Sequence, residues 1–237
     1  MILGVLKIAL LGNVLIWLFA VLLRQYSNWS FVLEAAVLVG VIGVGLAHLL
    51  HPDLQGWWEQ ALGSYFSQTS GMVDALKATS DQSLQEIQAG VIASIKTYAT
   101  GFLAVSILFN VLLQLIVARW WQSALFNPGG LRKELYQIRL GYLTAGLFVL
   151  LVLLGYFKSA LALDEIPIFY AAFGMAGLSL IHYLIGSYLS LNWFWLALVY
   201  LGIIVLFPLS MVAIAIIALF DTGLDFRKRV GGHFKKR

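Results

Sequence analysis

Two amides in the middle of an apolar run are the first residues of this sequence with chemistry to offer. Asn110 and Gln114 stand four apart, so a helix carries them on one face. Such a pair either hydrogen-bonds to a neighbouring helix or lines a polar cavity. Glu34 and His182 also lie within long apolar stretches. An ionisable group at the centre of a bilayer costs about 2.5–3.5 kcal/mol on insertion scales, so each is a functional candidate. Glu34 falls early in its run. It reads either as an interfacial carboxylate partnered by Arg24 or a headgroup, or as a substrate or proton site. His182, in Gly177-Leu-Ser-Leu-Ile-His-Tyr183, reads either as an interhelical hydrogen bond or as a ligand contact.

Other chemistries lack their residues. Cysteine is absent, which removes disulfides, thiolate metal sites and thiol nucleophiles. The histidines at 48, 51, 182 and 233 have no metal-ligand spacing. No HExxH is present, no Gly-x-Ser-Gly accompanies His182, and no intramembrane carboxylate pair could build an aspartyl site. Gly129-Gly130 follows no strand and lacks the Lys-Ser/Thr of a phosphate loop. The expectation is therefore a protein with no catalytic residue, no metal, no cofactor and no enzymatic activity.

The elements that position these residues follow from composition. Of 237 residues, 61% are hydrophobic and 11% charged, and mean hydropathy is +0.91. A soluble domain carries about 25% charged residues. Lipid is the natural solvent for such a surface, and the bilayer the first partner. The predicted fold is all-α, a polytopic transmembrane helix bundle. One domain over 1–237 makes six to seven crossings and adds interfacial amphipathic helices. Spans are predicted at 2–23, 30–50, 97–118, 140–157 and 167–185. The apolar stretch 189–220 exceeds one comfortable span and carries Pro208 in its middle. It is either one kinked helix or two short ones, 189–206 and 208–221.

Charge favours two helices there. Arg24, Arg119, Arg132, Lys133, Arg139 and the basic tail then share one face, and Lys7, Lys77, Lys96 and Lys158 face the acidic side. Lys and Arg collect in cytoplasmic loops. The expected topology is seven crossings of a bacterial inner membrane with the C-terminus cytoplasmic. The apolar N-terminal run lacks a cleavage site and reads as a retained helix. Residues 51–96 read as an extramembrane amphipathic segment with Met72, Leu76, Leu84, Ile87, Val91 and Ile95 on its apolar stripe. The tail 222–237 reads as a contact to anionic headgroups, and no nucleic-acid pattern accompanies it.

Residues 119–139 form the most distinctive segment, an interfacial elbow on the cytoplasmic side. Arg119, Trp120 and Trp121 supply a cation and aromatics suited to the headgroup layer. Asn127-Pro128-Gly129-Gly130 is a turn, and Arg132 and Lys133 lie on a short basic helix after it. The elbow is either a membrane anchor or a docking platform for a membrane or cytoplasmic protein partner.

The run Ala118-Arg-Trp-Trp-Gln122 with Asn127-Pro-Gly-Gly130, the Gly177–His182 helix and the closing Phe220-Asp-Thr-Gly-Leu-Asp-Phe-Arg-Lys-Arg229 together resemble the YybS-like family. These are uncharacterised bacterial multi-pass membrane proteins. The likeness covers residues 15–229. Its motif positions here are Arg119, Trp120, Trp121, Asn127, Pro128, Gly129, Gly130, His182, Asp221, Asp225, Phe226 and Arg227. The resemblance implies additional N-terminal helices that this chain lacks. It also implies a distant likeness to substrate-binding components of energy-coupling-factor transporters, at fold level only. The functional expectation is a small-molecule binding or transport component without its own ATPase. Its ligand would meet Asn110, Gln114, His182 and Glu34. The alternative is a scaffold or assembly factor acting through the elbow and tail.

Overall fold

Large apolar side chains cover the outside of this molecule. Leu38, Ile42, Phe102, Phe109, Leu143 and Leu153 are all exposed on helices. Water would penalise so large an apolar surface, whereas hydrocarbon accepts it. The computed structural model describes residues 2–74, 90–188 and 192–229, and every regular element among them is helical. In chain order these are α1 (Ile2–Tyr26), α2 (Trp29–Leu50), α3 (Leu54–Asp74), α4 (Ala99–Phe126), α5 (Gly130–Leu135), α6 (Tyr142–Tyr156), α7 (Ala160–Tyr188), α8 (Asn192–Val205) and α9 (Leu209–Leu224). A further helical run covers 90–96. Among the described residues four stretches are long and apolar enough to cross a membrane: Ala9–Tyr26, Trp29–Leu50, Ala99–Phe126 and Ala160–Ser187. The apolar helices α6, α8 and α9 are shorter.

Two boundaries depart from the sequence-based ones. α4 continues through Arg119, Trp120 and Trp121 to Phe126, so the first third of the predicted elbow is helix. Arg, Trp and Gln all tolerate helix, and the chain stops only where Asn127 precedes Pro128. α7 begins at Ala160 and runs through Pro167. Proline there removes the bond to the Leu163 carbonyl but leaves the rest of the ladder intact. Asp164 and Glu165, assigned by sequence to a loop, are therefore helical.

α7 is the hub, packed against α2, α4, α6, α8 and α9. Phe148 of α6 stacks on Phe169 and Phe173 of α7, with centroids 5.8 and 5.1 Å apart. Glycine allows the closest helix approaches. A Cβ at Gly101 would collide with the Asp164 carbonyl oxygen, and one at Gly177 would lie 2.5 Å from the Ile214 carbonyl oxygen. Ala172 and Ala176 are buried on the same helix as Gly177.

The final apolar stretch is two helices joined at Pro208. α8 folds back along α7, with the Tyr200 hydroxyl 3.4 Å from His182 Nε2. α9 then returns, with Ile214 beside Gly177. At 1.5 Å per residue, Pro208 lies alongside the middle of α7 rather than at its far end. The end of α9 reaches the elbow, where Thr222 Oγ1 donates to the Leu140 carbonyl at 3.2 Å. That end of the bundle also holds the start of α2, through Arg139 N–H to Ser30 Oγ at 2.8 Å. The opposite end holds α3, through Trp58 Nε1–H to Thr100 Oγ1 at 2.9 Å. Leu76, Leu84 and Ile87 of the predicted amphipathic stripe, and Lys235, Lys236 and Arg237 of the tail, lie outside the described residues.

Candidate functional site

The amide pair lies on a groove between α1 and α4. Asn13 of α1 and Ser106, Asn110 and Gln114 of α4 line a cavity of about 410 Å3, with Ala9 and Gly12 giving it width. Gln114 Nε2 donates to Asn110 Oδ1 at 2.5 Å, and Ser106 Oγ donates to the Phe102 carbonyl at 2.9 Å. That leaves the Asn110 amide hydrogens and the Gln114 carbonyl uncommitted, and Asn13 bonds to no described residue. Sequence reasoning missed Asn13 as a site residue, although it interrupts an apolar run as Asn110 does.

A second cavity follows between the same two helices, toward the elbow end. It measures about 340 Å3 and is lined by Arg24, Ser27, Arg119, Gln122 and apolar neighbours. Positions 9, 13, 16, 20 and 24 step by three or four, so one face of α1 borders both cavities, with Ser27 just past the helix end. Arg119 is committed: its NH2 and Nε reach Glu134 at 2.6 and 3.2 Å and its NH1 reaches Gln122 at 2.6 Å. Arg24 is exposed and has no acidic or hydrogen-bonding partner among the described residues. Inside the bundle, by contrast, the apolar void between α2, α4 and α7 measures about 30 Å3.

His182 does not line the groove. Its Nδ1 lies 2.8 Å from the Leu178 carbonyl. A carbonyl only accepts, so Nδ1 carries the proton and Nε2 accepts from Tyr200. This is a satisfied histidine between α7 and α8. Glu34 is not partnered by Arg24; its Oε1 accepts the Gly141 N–H at 2.6 Å. Gly141 is the N-cap of α6, so Glu34 supplies an acceptor to an otherwise orphaned helix-start donor. A Cβ at Gly141 would press on that oxygen at 2.9 Å, so this glycine makes room for a carboxylate and not for a second helix.

The elbow and the tail meet in a network of ion pairs. Gly129 takes φ +82°, and Asn127 caps α4 through its backbone N–H to Ser123. Ser123 Oγ closes the Asn127–Gly130 turn by donating to Asn127 O at 2.7 Å and accepting from Leu131 N at 3.2 Å. The Arg119 hydrogen bond holds Glu134 below the usual carboxylate range; burial opposes this and Trp29 Nε1–H assists it. Arg139 pairs with Asp225 at 2.8 Å, and Arg227 pairs with Asp221 at 2.7 Å. Arg227 also donates to Ile138 O and Ser179 Oγ, and Phe226 N–H donates to Asp221. Burial pulls the Arg227 guanidinium below its ordinary value, while Asp221 opposes the change. Within the tail read as headgroup-facing, Arg227 points inward, whereas Lys228 and Arg229 are exposed. Outward stand Trp120, Trp121 and Lys133, while Arg132 stacks over Tyr136 and donates to its hydroxyl.

A third cluster lies at the opposite end. His48 Nε2 is 3.0 Å from Asp164 Oδ2, and Asp164 Oδ1 accepts the Gly101 N–H at 3.0 Å. Asp164 is 2% and Glu165 7% exposed. Asp164 thereby links α2, α4 and α7, and satisfies a donor at the start of α4. No group of three or more His, Cys, Asp or Glu among the described residues could hold a metal ion. No protein-family model, curated protein or solved structure matches this chain.

Proposed function

We propose that this chain is a membrane-embedded binding component, the ligand-holding part of a small-molecule transport or handling system without its own ATPase. Its site is the groove between α1 and α4. One observation carries this reading: Asn13, Ser106, Asn110 and Gln114 line one cavity of about 410 Å3 on otherwise apolar helices. Polar groups left facing hydrocarbon are costly, and a polar ligand there offsets the cost. Transporters commonly bind their substrates near that depth. The resemblance to the YybS-like family points the same way at fold level.

A topology accompanies the proposal. α1, α2, α4, α6 and α7 cross the membrane, and α8 with α9 forms a re-entrant hairpin entering and leaving at the elbow end. The turn supports this. Val205, Leu206, Phe207 and Leu209 are apolar and exposed, as a turn in hydrocarbon would be and a turn in water would not. Three backbone donors around it are internally satisfied: Leu206, Ser210 and Met211 N–H reach Gly202, Leu206 and Pro208 carbonyls at 3.0, 3.0 and 3.1 Å. The elbow end gathers Arg24, Arg119, Arg132, Lys133, Arg139, Arg227, Lys228 and Arg229, which supports reading it as the cytoplasmic face of a bacterial inner membrane. Five crossings and a hairpin thus replace the seven expected from sequence.

Thermal unfolding of the purified chain against a panel of metabolites and membrane lipids tests the binding reading. At least one compound raises Tm, and Asn110→Leu with Gln114→Leu removes the shift. Both positions are exposed toward lipid, so leucine there leaves the fold intact. No response to any compound, or a response unchanged in the leucine pair, overturns the reading. The scaffold reading has its own support in the exposed Trp120, Trp121, Leu125 and Phe126 at the end of α4. It requires that Arg132→Glu with Lys133→Glu abolish recovery of a crosslinked partner while the leucine pair is tolerated.

A further inference from the structure

The groove does not stop at Gln114. The cavity beside Arg24 continues it along the same face of α1, and the two together have the polarity profile of one molecule. Resting on the groove reading above, we infer that the ligand is an anionic amphiphile drawn sideways from the bilayer. Its phosphate or carboxylate meets Arg24, and its carbonyl-bearing linkages lie along Gln114 and Asn110.

Three features carry this. The first is charge. Arg119 is consumed by Glu134, whereas Arg24 has no partner among the described residues and borders open volume with Ser27 and Gln122. An unpaired guanidinium at a cavity wall between membrane helices is an acceptor site for one anionic group.

The second is depth. Arg119, Trp120 and Trp121 have the composition of the membrane interface. Gln114 and Asn110 lie five and nine residues deeper on the same helix, about 7.5 and 13.5 Å at 1.5 Å per residue. The ester carbonyls of a phospholipid sit one glycerol unit below its phosphate, at the depth of Gln114, whose second amide hydrogen is a donor to them; the uncommitted Asn110 amide hydrogens lie one turn deeper. A free anion would fill the Arg24 cavity and leave the amides unmatched.

The third is access. Val14 and Trp17 on α1, and Leu113 and Val117 on α4, are exposed apolar side chains beside the cavities. They present the groove to lipid tails. A water-soluble metabolite would cross an apolar margin to reach Asn110, whereas a bilayer lipid slides in without leaving the membrane.

The test uses the full chain in a neutral detergent, titrated with phosphatidylglycerol, phosphatidylcholine or glycerol phosphate. Thermal unfolding and native mass spectrometry provide the readouts. Phosphatidylglycerol is expected to raise Tm and to survive as a one-to-one adduct, with the other two weaker. Arg24→Gln weakens it about tenfold, the effect of losing one charge-assisted hydrogen bond. Asn110→Leu with Gln114→Leu also weakens it. Arg229→Gln, an exposed cation elsewhere on the same end, behaves as wild type. Glycerol phosphate matching phosphatidylglycerol would show a free-anion site and overturn the amphiphile. Phosphatidylcholine matching it, or Arg229→Gln weakening it equally, would show that Arg24 reads no headgroup. If phosphatidylglycerol fails while a water-soluble compound stabilises the chain through Asn110 and Gln114, the amphiphile falls and the groove reading stands. If no compound depends on the leucine pair, both fall.

Discussion

Removing Arg227 should unlock the tail from the elbow, and the structure sets the size of the effect. The Asp221 and Arg227 side chains are 4% and 13% exposed and 2.7 Å apart. Arg227→Gln leaves Asp221 a buried carboxylate whose remaining donor is Phe226 N–H, and takes a donor from the Ile138 carbonyl. Stripping one partner from a buried ion pair costs about 3–5 kcal/mol. Asp221→Asn should cost roughly half as much. Asparagine still accepts from Phe226, and the guanidinium keeps Ile138 O and Ser179 Oγ as acceptors with Asp225 nearby. The two losses overlap, so the double variant should resemble Arg227→Gln alone, with a coupling of about 1.5–2.5 kcal/mol. Unfolding in mixed micelles with increasing dodecyl sulfate measures all four corners of this cycle. Additive single effects, with coupling under about 0.5 kcal/mol, would refute the pair as the tail's attachment.

Glycines separate into two kinds. Gly101→Ala and Gly177→Ala drive a methyl into a backbone carbonyl and should each cost about 1–3 kcal/mol. Gly146→Ala meets nothing within 4 Å and should be neutral or stabilising in the same melting assay; equal behaviour of all three would refute the helix-contact argument. Glu134 is held below its ordinary value by Arg119, so its stabilisation is present above the carboxylate range and lost as pH falls through the folded value. Melting curves of Glu134→Gln should therefore lie below wild type at neutral pH and converge on it in acid; a gap independent of pH would contradict this. Because the chain has no cysteine, Phe207→Cys reports its own surroundings. In sealed proteoliposomes an impermeant maleimide should fail to label it from either side. Labelling from the side opposite the tail would establish seven crossings.

Whatever depends on the solvent was legible in the sequence. Apolar run length located α1, α2 and α6 to within three residues, because hydrocarbon imposes a minimum span on any helix. Asn127-Pro128-Gly129-Gly130 was legible as a turn, since Gly129 takes the positive φ that glycine alone adopts without strain. Hydropathy misjudged the end of α4 because Arg119, Trp120 and Trp121 lower it without breaking a helix. It misplaced the start of α7 because Asp164 and Glu165 look like loop residues until His48 is beside them. That partner stands 116 residues away, and the one Glu34 finds, Gly141, stands 107 away. The groove shows the same division. Asn110 and Gln114 share a face by spacing alone, but only the packing of α1 on α4 brings Asn13 to them and takes His182 away.

The proposed re-entrant hairpin illustrates how far charge can carry a topology. A basic tail sharing a face with Arg24 and Arg119 requires the chain to return to that face after α7. Two further crossings would do this, and so would a hairpin that turns inside the membrane. Charge distribution therefore decides the parity of the path and is blind to its depth. Depth is decided by what the turn exposes. α8 and α9 have 14 and 16 residues, about 21 and 24 Å, and α6 has 15, so length alone does not separate a hairpin from crossings. A turn that reached the far headgroups would need polar residues there, and this one offers Val205, Leu206, Phe207 and Leu209. The proposed hairpin keeps the tail on the face that the seven-crossing expectation gave it, because that argument was one of parity. The two readings differ in number because nothing in the charge argument measures depth.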